Sequence, residues 1–360
     1  MKILLVITGL GMGGAEKIVS SLADDYKKKH NSVTIVSLTS PILVVPKSQE
    51  IDIINLNIRG VVSFIKAIFT LKKIIKKIRP DVVHSHMFHA IIISRICRLL
   101  VKIPKLISSA HNTVDGSLIR SMLYRVTDFL SEVTTNVSQD AVNSFIKSHA
   151  ANKNKIICID NGIDITKFKK LDKSVFPSEF YNANNKLIIL SIGSLTKQKD
   201  YPNLFNALAL FKQEYGSNFI QLIVGSGPLE QSLIQLSTQL GLQENIIFLG
   251  LRHDIPELLS LCDLFILPSA WEGFGLVIAE AMACEAIVIG TDCGGVKDVV
   301  GQYGFIVPPH DPNLLKSAIF SSLNLSPEEK NSMQKNARLH IIHKYSLTRM
   351  ANEYLELYQK

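Results

Sequence analysis

Cysteine is scarce and offers no pairing scheme: Cys97, Cys158, Cys262, Cys284 and Cys293 are odd in number and form no C-x-x-C pair. That argues against a disulfide framework and suits reduced, cytosolic thiols. Long apolar runs are missing as well. The nearest to a membrane span, Ile91 to Val101, is broken by Arg95 and Arg98, so no spanning helix is expected. The opening Met1-Lys-Ile-Leu-Leu-Val-Ile-Thr8 is too short for a signal peptide and runs into glycines, which reads as a first strand. Only 19% of residues are charged against 47% hydrophobic, which excludes a disordered chain. Neither a short repeat nor a low-complexity tract is present.

What is present fits two domains, since 360 residues exceed one ordinary core. Short Val- and Ile-rich runs alternate with longer periodic segments. Expected strands are Ile3–Ile7, Val33–Ser37, Val82–His84, Leu106–Ser109, Val133–Val137 and Ile156–Ile159, then Leu187–Ile192, Ile220–Val224, Ile246–Phe248, Leu264–Leu267 and Ile287–Ile289. This alternation predicts an α/β fold with a doubly wound parallel sheet, occurring twice. The break falls at Asn161-Gly-Ile-Asp164 and the polar stretch to Asn185. The expected domains are 1–165 and 166–344, and their ligand edges are expected to face a common cleft.

The stretch Leu267-Pro-Ser-Ala-Trp-Glu-Gly-Phe-Gly-Leu-Val-Ile-Ala-Glu280 reads as strand, loop and helix start. Gly273, Phe274, Gly275 and Leu276 would offer a helix N-terminus to a phosphate. Eight residues of helix turn through about 800°, so Glu280 would point within roughly 80° of Glu272 and two turns deeper. Both carboxylates would then reach one elongated polar ligand; the alternative is a solvated loop glutamate and an ordinary ion pair.

Other loops share the pattern. Gly9-Leu-Gly-Met-Gly-Gly14 formally satisfies G-x-G-x-x-G, but the second strand ends in Val36-Ser-Leu-Thr-Ser40 without the acid that holds a dinucleotide ribose. A nicotinamide cofactor is therefore discounted, and a glycine loop open to a ligand is retained. Ser191-Ile-Gly-Ser-Leu-Thr-Lys-Gln-Lys199 places Lys197 and Lys199 after the first strand of the second half, while Gly225 and Gly227 permit close backbone approach. His111 follows a strand directly, as a cleft residue or a loop cap. His84, His86 and His89 make a thin zinc case, and cleft-lining or packing roles suit them better.

The formal charge is +8, and it is unevenly spread. Between Arg59 and Lys105 stand eleven Lys or Arg residues against one acid, Asp81. On a helical wheel Val61, Phe64, Ile68, Leu71, Ile75 and Ile78 share one face and Lys66, Lys72, Lys73, Lys76 and Lys77 the other, with Ile65 and Phe69 among the lysines. Residues 61–79 are either a solvated surface helix or a docking face for anionic lipid. No base-reading module accompanies the charge, so nucleic acid is not expected as a partner.

Taken together the residues resemble glycosyltransferase family 4, the retaining, nucleotide-sugar-dependent enzymes of GT-B fold. The resemblance rests on Gly13-Gly14-Ala15-Glu16, Asp81-Val-Val-His-Ser-His86, His111-Asn112, Asn161-Gly-Ile-Asp164, Gly193-x-Leu with Lys199, Gly225-x-Gly-Pro228, and Pro268-Ser269 leading into Glu272-x7-Glu280. It implies two Rossmann-like domains, an N-terminal one for the acceptor and a C-terminal one for a UDP- or GDP-sugar, with 345–360 crossing back to the first. By position it implies Glu272 on the donor sugar, Glu280 on the ribose, Lys199 on the diphosphate and the amides of Gly273 to Leu276 on the β-phosphate. Gly13 and Gly14 would border the phosphates, and His111 the donor sugar near its anomeric centre. It further implies transfer without a metal or other cofactor, in keeping with the lack of an Asp-x-Asp motif, and a glycan or lipid-linked acceptor from bacterial surface polysaccharide synthesis. A cytoplasmic protein, peripheral on the inner face of the membrane, is expected. One position departs: where the family has a basic residue, usually Arg, this chain has Ser194, for which Lys197 would substitute. Ser194 also sustains the alternative of a degenerate, non-catalytic relative.

Overall fold

The computed structural model describes residues 1–111, 118–172 and 186–360, without the side chains of Val61 and Val62. Asn112 and much of the polar stretch to Asn185 therefore lie outside the described residues. The chain forms two compact units, Met1–Gly162 with Leu347–Lys360, and Ile163–Ser346. The divisions at Gly162/Ile163 and Ser346/Leu347 differ from the expected 165/166 and 344/345 by a few residues.

The first unit carries β1 (Lys2–Ile7), α1 (Gly14–Lys28), β2 (Ser32–Ser37), β3 (Asp52–Asn55), α2 (Gly60–Ile78), β4 (Val82–His86), α3 (Phe88–Arg98), β5 (Lys105–Ser109), α4 (Leu118–Thr127), β6 (Val133–Asn136), α5 (Gln139–Lys147) and β7 (Ile156–Cys158). Its seven-stranded sheet has the order β3-β2-β1-β4-β5-β6-β7, and every pairing is parallel. Residues Leu4 to Ile7 are fully buried, as expected of strands covered by helices on both faces. The expected second face of α2 is real: Leu71 and Ile75 are buried, whereas Ile65 and Phe69 are 54% and 53% exposed.

Arg95, which disqualified Ile91 to Val101 as a membrane span, is completely buried. Its guanidinium donates to Asp128 Oδ1 at 3.1 Å, Thr134 Oγ1 at 2.8 Å, Ser131 Oγ at 2.9 Å and the Tyr124 carbonyl at 3.0 Å. A buried cation is tolerated only when so fully satisfied; here it ties α3 to the end of α4. The last helix, which lies in this unit and is designated α13 below, is fastened by Lys105 Nζ on the Tyr358 carbonyl at 3.0 Å.

The second unit carries β8 (Leu187–Ile192), α6 (Tyr201–Tyr215), β9 (Phe219–Val224), α7 (Glu230–Gln239), β10 (Ile246–Gly250), α8 (Ile255–Leu261), β11 (Leu264–Leu267), α9 (Leu276–Ala283), β12 (Ile287–Thr291), α10 (Val296–Val300), β13 (Phe305–Val307), α11 (Pro312–Leu323) and α12 (Pro327–Tyr345), after which α13 (Leu347–Gln359) belongs to the first unit. The order of its six-stranded sheet is β10-β9-β8-β11-β12-β13, again all parallel. Helix α12 opens on a capping box in which Ser326 and Glu329 bond each other's backbone amides. Among the described residues no helix is long and apolar enough to cross a membrane. The five cysteines are free, and burial pushes their thiols up, Cys97 to about 11 and Cys262 to about 12.

Candidate active site

In each sheet the order in which strands are added reverses once, between β1 and β4 and between β8 and β11. Ligands of open α/β sheets sit beyond the carboxyl ends of the strands at such a reversal. The residues singled out above gather at these two edges.

In the second unit, the loops after β8 and β11 bring together Lys199 and Glu272, which form an ion pair between Nζ and Oε1. The pair is shielded, its side chains 13% and 10% exposed. Ser269 Oγ also donates to Glu272 Oε1 at 2.9 Å, and Thr291 Oγ1 holds the Ser269 carbonyl at 2.5 Å. The loops are laced by the Ala270 amide on the Gln198 carbonyl at 2.8 Å and by Gln198 Nε2 on the Trp271 carbonyl at 3.0 Å. Gly193 has a local reason: a Cβ there would lie 2.8 Å from Cε of Lys199, so a side chain would push the lysine stem from its present path across the loop.

Gly225 and Gly227 permit close backbone approach, but what approaches is the neighbouring loop. A Cβ on Gly225 would collide with the Gly193 carbonyl, and one on Gly227 with the backbone of Leu195. Gly275 caps α9 with φ 86°, and a Cβ there would sit 3.1 Å from Val296. The first amides to turn back on Gly275 are those of Ile278 and Ala279, leaving the preceding amides at the helix end outside the ladder. Of the loop residues expected to meet a phosphate, Phe274 contributes only backbone, since its ring is buried edge-on against Tyr345. Glu280 is buried within α9. Ser194 and Lys197 are both exposed.

In the first unit, Gly13 caps α1 in extended conformation and Gly14 opens the helix. A side chain at Gly13 would collide with the Glu16 carboxylate, whose pKa is raised by burial. At the carboxyl ends of β4 and β5 lies a histidine chain whose connectivity the sequence did not reveal. His86 Nδ1 and His111 Nε2 are 3.1 Å apart. His84 places Nδ1 on Tyr358 Oη at 2.5 Å and Nε2 on Ser109 Oγ at 2.6 Å, so both its nitrogens are engaged. Tyr354 Oη, at 3.1 Å from both Ser109 Oγ and Thr135 Oγ1, extends the network to α13.

Burial holds all three imidazoles neutral, His84 and His86 well below the usual histidine range and His111 at about 4. Between two neutral rings one nitrogen donates and the other accepts. His86 Nε2 is buried without a hydrogen-bond partner among the described residues. A bare lone pair at that atom is a smaller defect than an orphaned N–H. His86 Nδ1–H therefore donates to His111 Nε2, and His111 carries its own proton on Nδ1. His89 stands in the first turn of α3 beside Phe88.

Family models match along nearly the whole chain: Glycosyltransferase Family 4 over residues 12–167 and Glycosyl transferases group 1 over residues 173–340. The chain belongs to this glycosyltransferase family, has the two-domain GT-B fold, and is a glycosyltransferase of the hexosyl-transferring class. It is 27% identical over 308 residues, 81% of this chain and 79% of the relative, to the UDP-Gal:alpha-D-GlcNAc-diphosphoundecaprenol alpha-1,3-galactosyltransferase of Escherichia coli. It is 23% identical over 98% of its length and 99% of the relative to the N-acetylgalactosamine-N,N'-diacetylbacillosaminyl-diphospho-undecaprenol 4-alpha-N-acetylgalactosaminyltransferase of Campylobacter jejuni. Among solved structures, HepE of Anabaena in complex with UDP and glucose superposes with TM-score 0.85 at 21% identity over the full length of both chains.

Proposed function

We propose that the chain transfers a hexosyl group from a UDP- or GDP-sugar to a glycan or lipid-linked saccharide, with retention at the anomeric carbon, in the building of a bacterial surface polysaccharide. The observation that carries this reading is the Lys199–Glu272 pair at the β8/β11 reversal. Without donor the two charges neutralise each other. With donor, Lys199 and the amides of Gly273 to Leu276 at the end of α9 take the diphosphate, Glu272 takes sugar hydroxyls and Glu280 the ribose. In the first unit, the reading assigns Gly13 and Gly14 to the phosphates and His111 to the donor sugar. The bond from the anomeric carbon to the β-phosphate oxygen breaks as the acceptor oxygen bonds on the same face, and that phosphate oxygen receives the acceptor's proton. Lysine and helix dipole stabilise the leaving diphosphate electrostatically, so the reading calls for no metal. Glu272 steadies charge and does not attack; a trapped glycosyl ester on it would overturn this step.

The acceptor class is supported by the E. coli and C. jejuni relatives, whose names specify undecaprenol-linked saccharides. A location on the inner face of the cytoplasmic membrane is supported by the basic face of α2, with Ile65 and Phe69 exposed among its lysines. Helix α4 adds a second apolar surface: Leu118, Met122 and Val126 are 92%, 61% and 52% exposed, followed by Phe129 at 70%. The decisive experiment is a screen of nucleotide sugars for acceptor-independent hydrolysis by mass spectrometry. One donor class should be consumed, Lys199→Ala should abolish this, and Lys197→Ala should weaken it. Hydrolysis of none would favour the degenerate relative that Ser194 suggests, and full activity of Lys197→Ala would remove its compensating role.

A further inference from the structure

The first unit holds a cavity of about 470 Å³ that the transfer chemistry leaves unused. It falls within the range of small-molecule sites. Its wall is drawn from the carboxyl ends of β1 and β2 and from the starts of α2 and α3: Thr8, Leu38 and Thr39, then Ile58 and Phe64, with Gly60 and His89 completing it. It therefore sits on the same sheet edge as the glycine loop before α1.

The wall offers almost nothing to a sugar. Thr39 Oγ1 donates to the Thr8 carbonyl at 2.8 Å, and Thr8 Oγ1 accepts from the Ala90 amide at 3.4 Å. Each hydroxyl makes one bond to backbone, and the side chains of the lining are otherwise carbon apart from His89. Polar groups placed there would lose water without replacement, whereas hydrocarbon would gain by burial. A cation stands beside it: Arg59, flanked by the lining residues Ile58 and Gly60, is exposed at the start of α2.

We infer that this cavity binds the hydrocarbon segment next to the phosphate of a lipid-phosphate acceptor, with Arg59 and α2 beside the anionic group. The inference rests on the acceptor reading above and adds a site for the lipid. Isoprenoid and acyl chains share this chemistry.

The test is isothermal titration of the full chain with farnesyl monophosphate, dodecyl phosphate and glycerol 3-phosphate below their aggregation limits. Saturable binding of farnesyl or dodecyl phosphate at least tenfold tighter than glycerol 3-phosphate is expected, and the tighter of the two identifies the chain type. Ile58→Asp and the cavity-filling Ile58→Trp should each weaken that binding at least tenfold, while Ile58→Leu retains it. Ile58 is half-buried, and unchanged thermal unfolding of the variants shows that the fold survives. Equal binding of all three phosphates, or no loss in either disruptive variant, overturns the inference. Donor hydrolysis is measured in parallel. Hydrolysis without hydrocarbon binding sinks the cavity alone, whereas hydrocarbon binding without hydrolysis of any donor sinks the transferase reading and leaves the cavity.

Discussion

At the scale of single residues, the histidine chain is where geometry adds most. His86 acts through His111: by donating from Nδ1 it fixes the tautomer in which His111 presents Nδ1–H. A positioning role of this kind predicts that His86→Phe keeps the fold and lowers kcat by about ten- to a hundredfold with KM little changed. Nitrogen-15 histidine spectra give a reading independent of turnover. The His111 proton should sit on Nδ1 in the wild type and redistribute in His86→Phe; a wild-type His111 protonated on Nε2 would refute the assignment. None of this was readable from Asp81-Val-Val-His-Ser-His86, because alternation along a strand says which residues share a face and not which nitrogen meets which. Lys199 and Glu272 are likewise 73 residues apart, and no local pattern joins them. They were named together only through the family resemblance.

At the scale of elements, the strand runs were legible wherever burial on both faces makes a strand continuously apolar, as in β1, β8 and β11. The missed strands are short. β3 is Asp52–Asn55, half-exposed at the sheet edge, and β13 is Phe305–Val307, three residues long. Neither offers enough apolar sequence to rise above a loop. The glycine loops were legible as glycine, but their immediate partners were not, since loop-on-loop packing depends on the sheet order. A prediction follows for Gly225, whose φ of 139° and contact with Gly193 make side chains costly twice over. Gly225→Ala should lower stability by more than the about 1–2 kcal/mol of left-handed strain alone. Gly241→Ala is the matched control, with φ 68° and open space around its Cβ. Urea midpoints compare the two, and equal losses would mean that the Gly193 contact relaxes freely. Because Gly193 carries the stem of Lys199, the Gly225 variant should also weaken donor binding, and the control should not.

For the whole molecule, the buried neutral histidines couple folding to pH. His84, His86 and His111 bind protons less readily folded than unfolded. Stability is therefore complete above the ordinary histidine pKa near 6.5 and falls as pH drops from there toward 4, where His111 itself titrates. Denaturation at pH 7 and pH 5 should show the loss, and an unchanged midpoint would mean that the histidines are not neutral when folded. The second property of the whole chain is the proposed membrane contact, to which the two exposed surfaces of the first unit would contribute separably. The periodicity of α2 exposed its lysines to sequence reading, but the α4 stripe was missed because Leu118, Met122 and Val126 repeat as a core face would, and only the structure turns them outward. Sedimentation with vesicles rich in anionic phospholipid should fall when Lys72, Lys73, Lys76 and Lys77 are changed to Glu, each cation contributing about 1 kcal/mol near the surface. That contribution should fade with added salt as the Debye length shrinks. Met122→Asp with Val126→Asp should reduce partitioning at every salt concentration, because burial of hydrocarbon is not screened. Partitioning unchanged in both sets would leave α2 a solvated helix and α4 uncovered by lipid, and a loss confined to the lysine set would make the contact electrostatic alone.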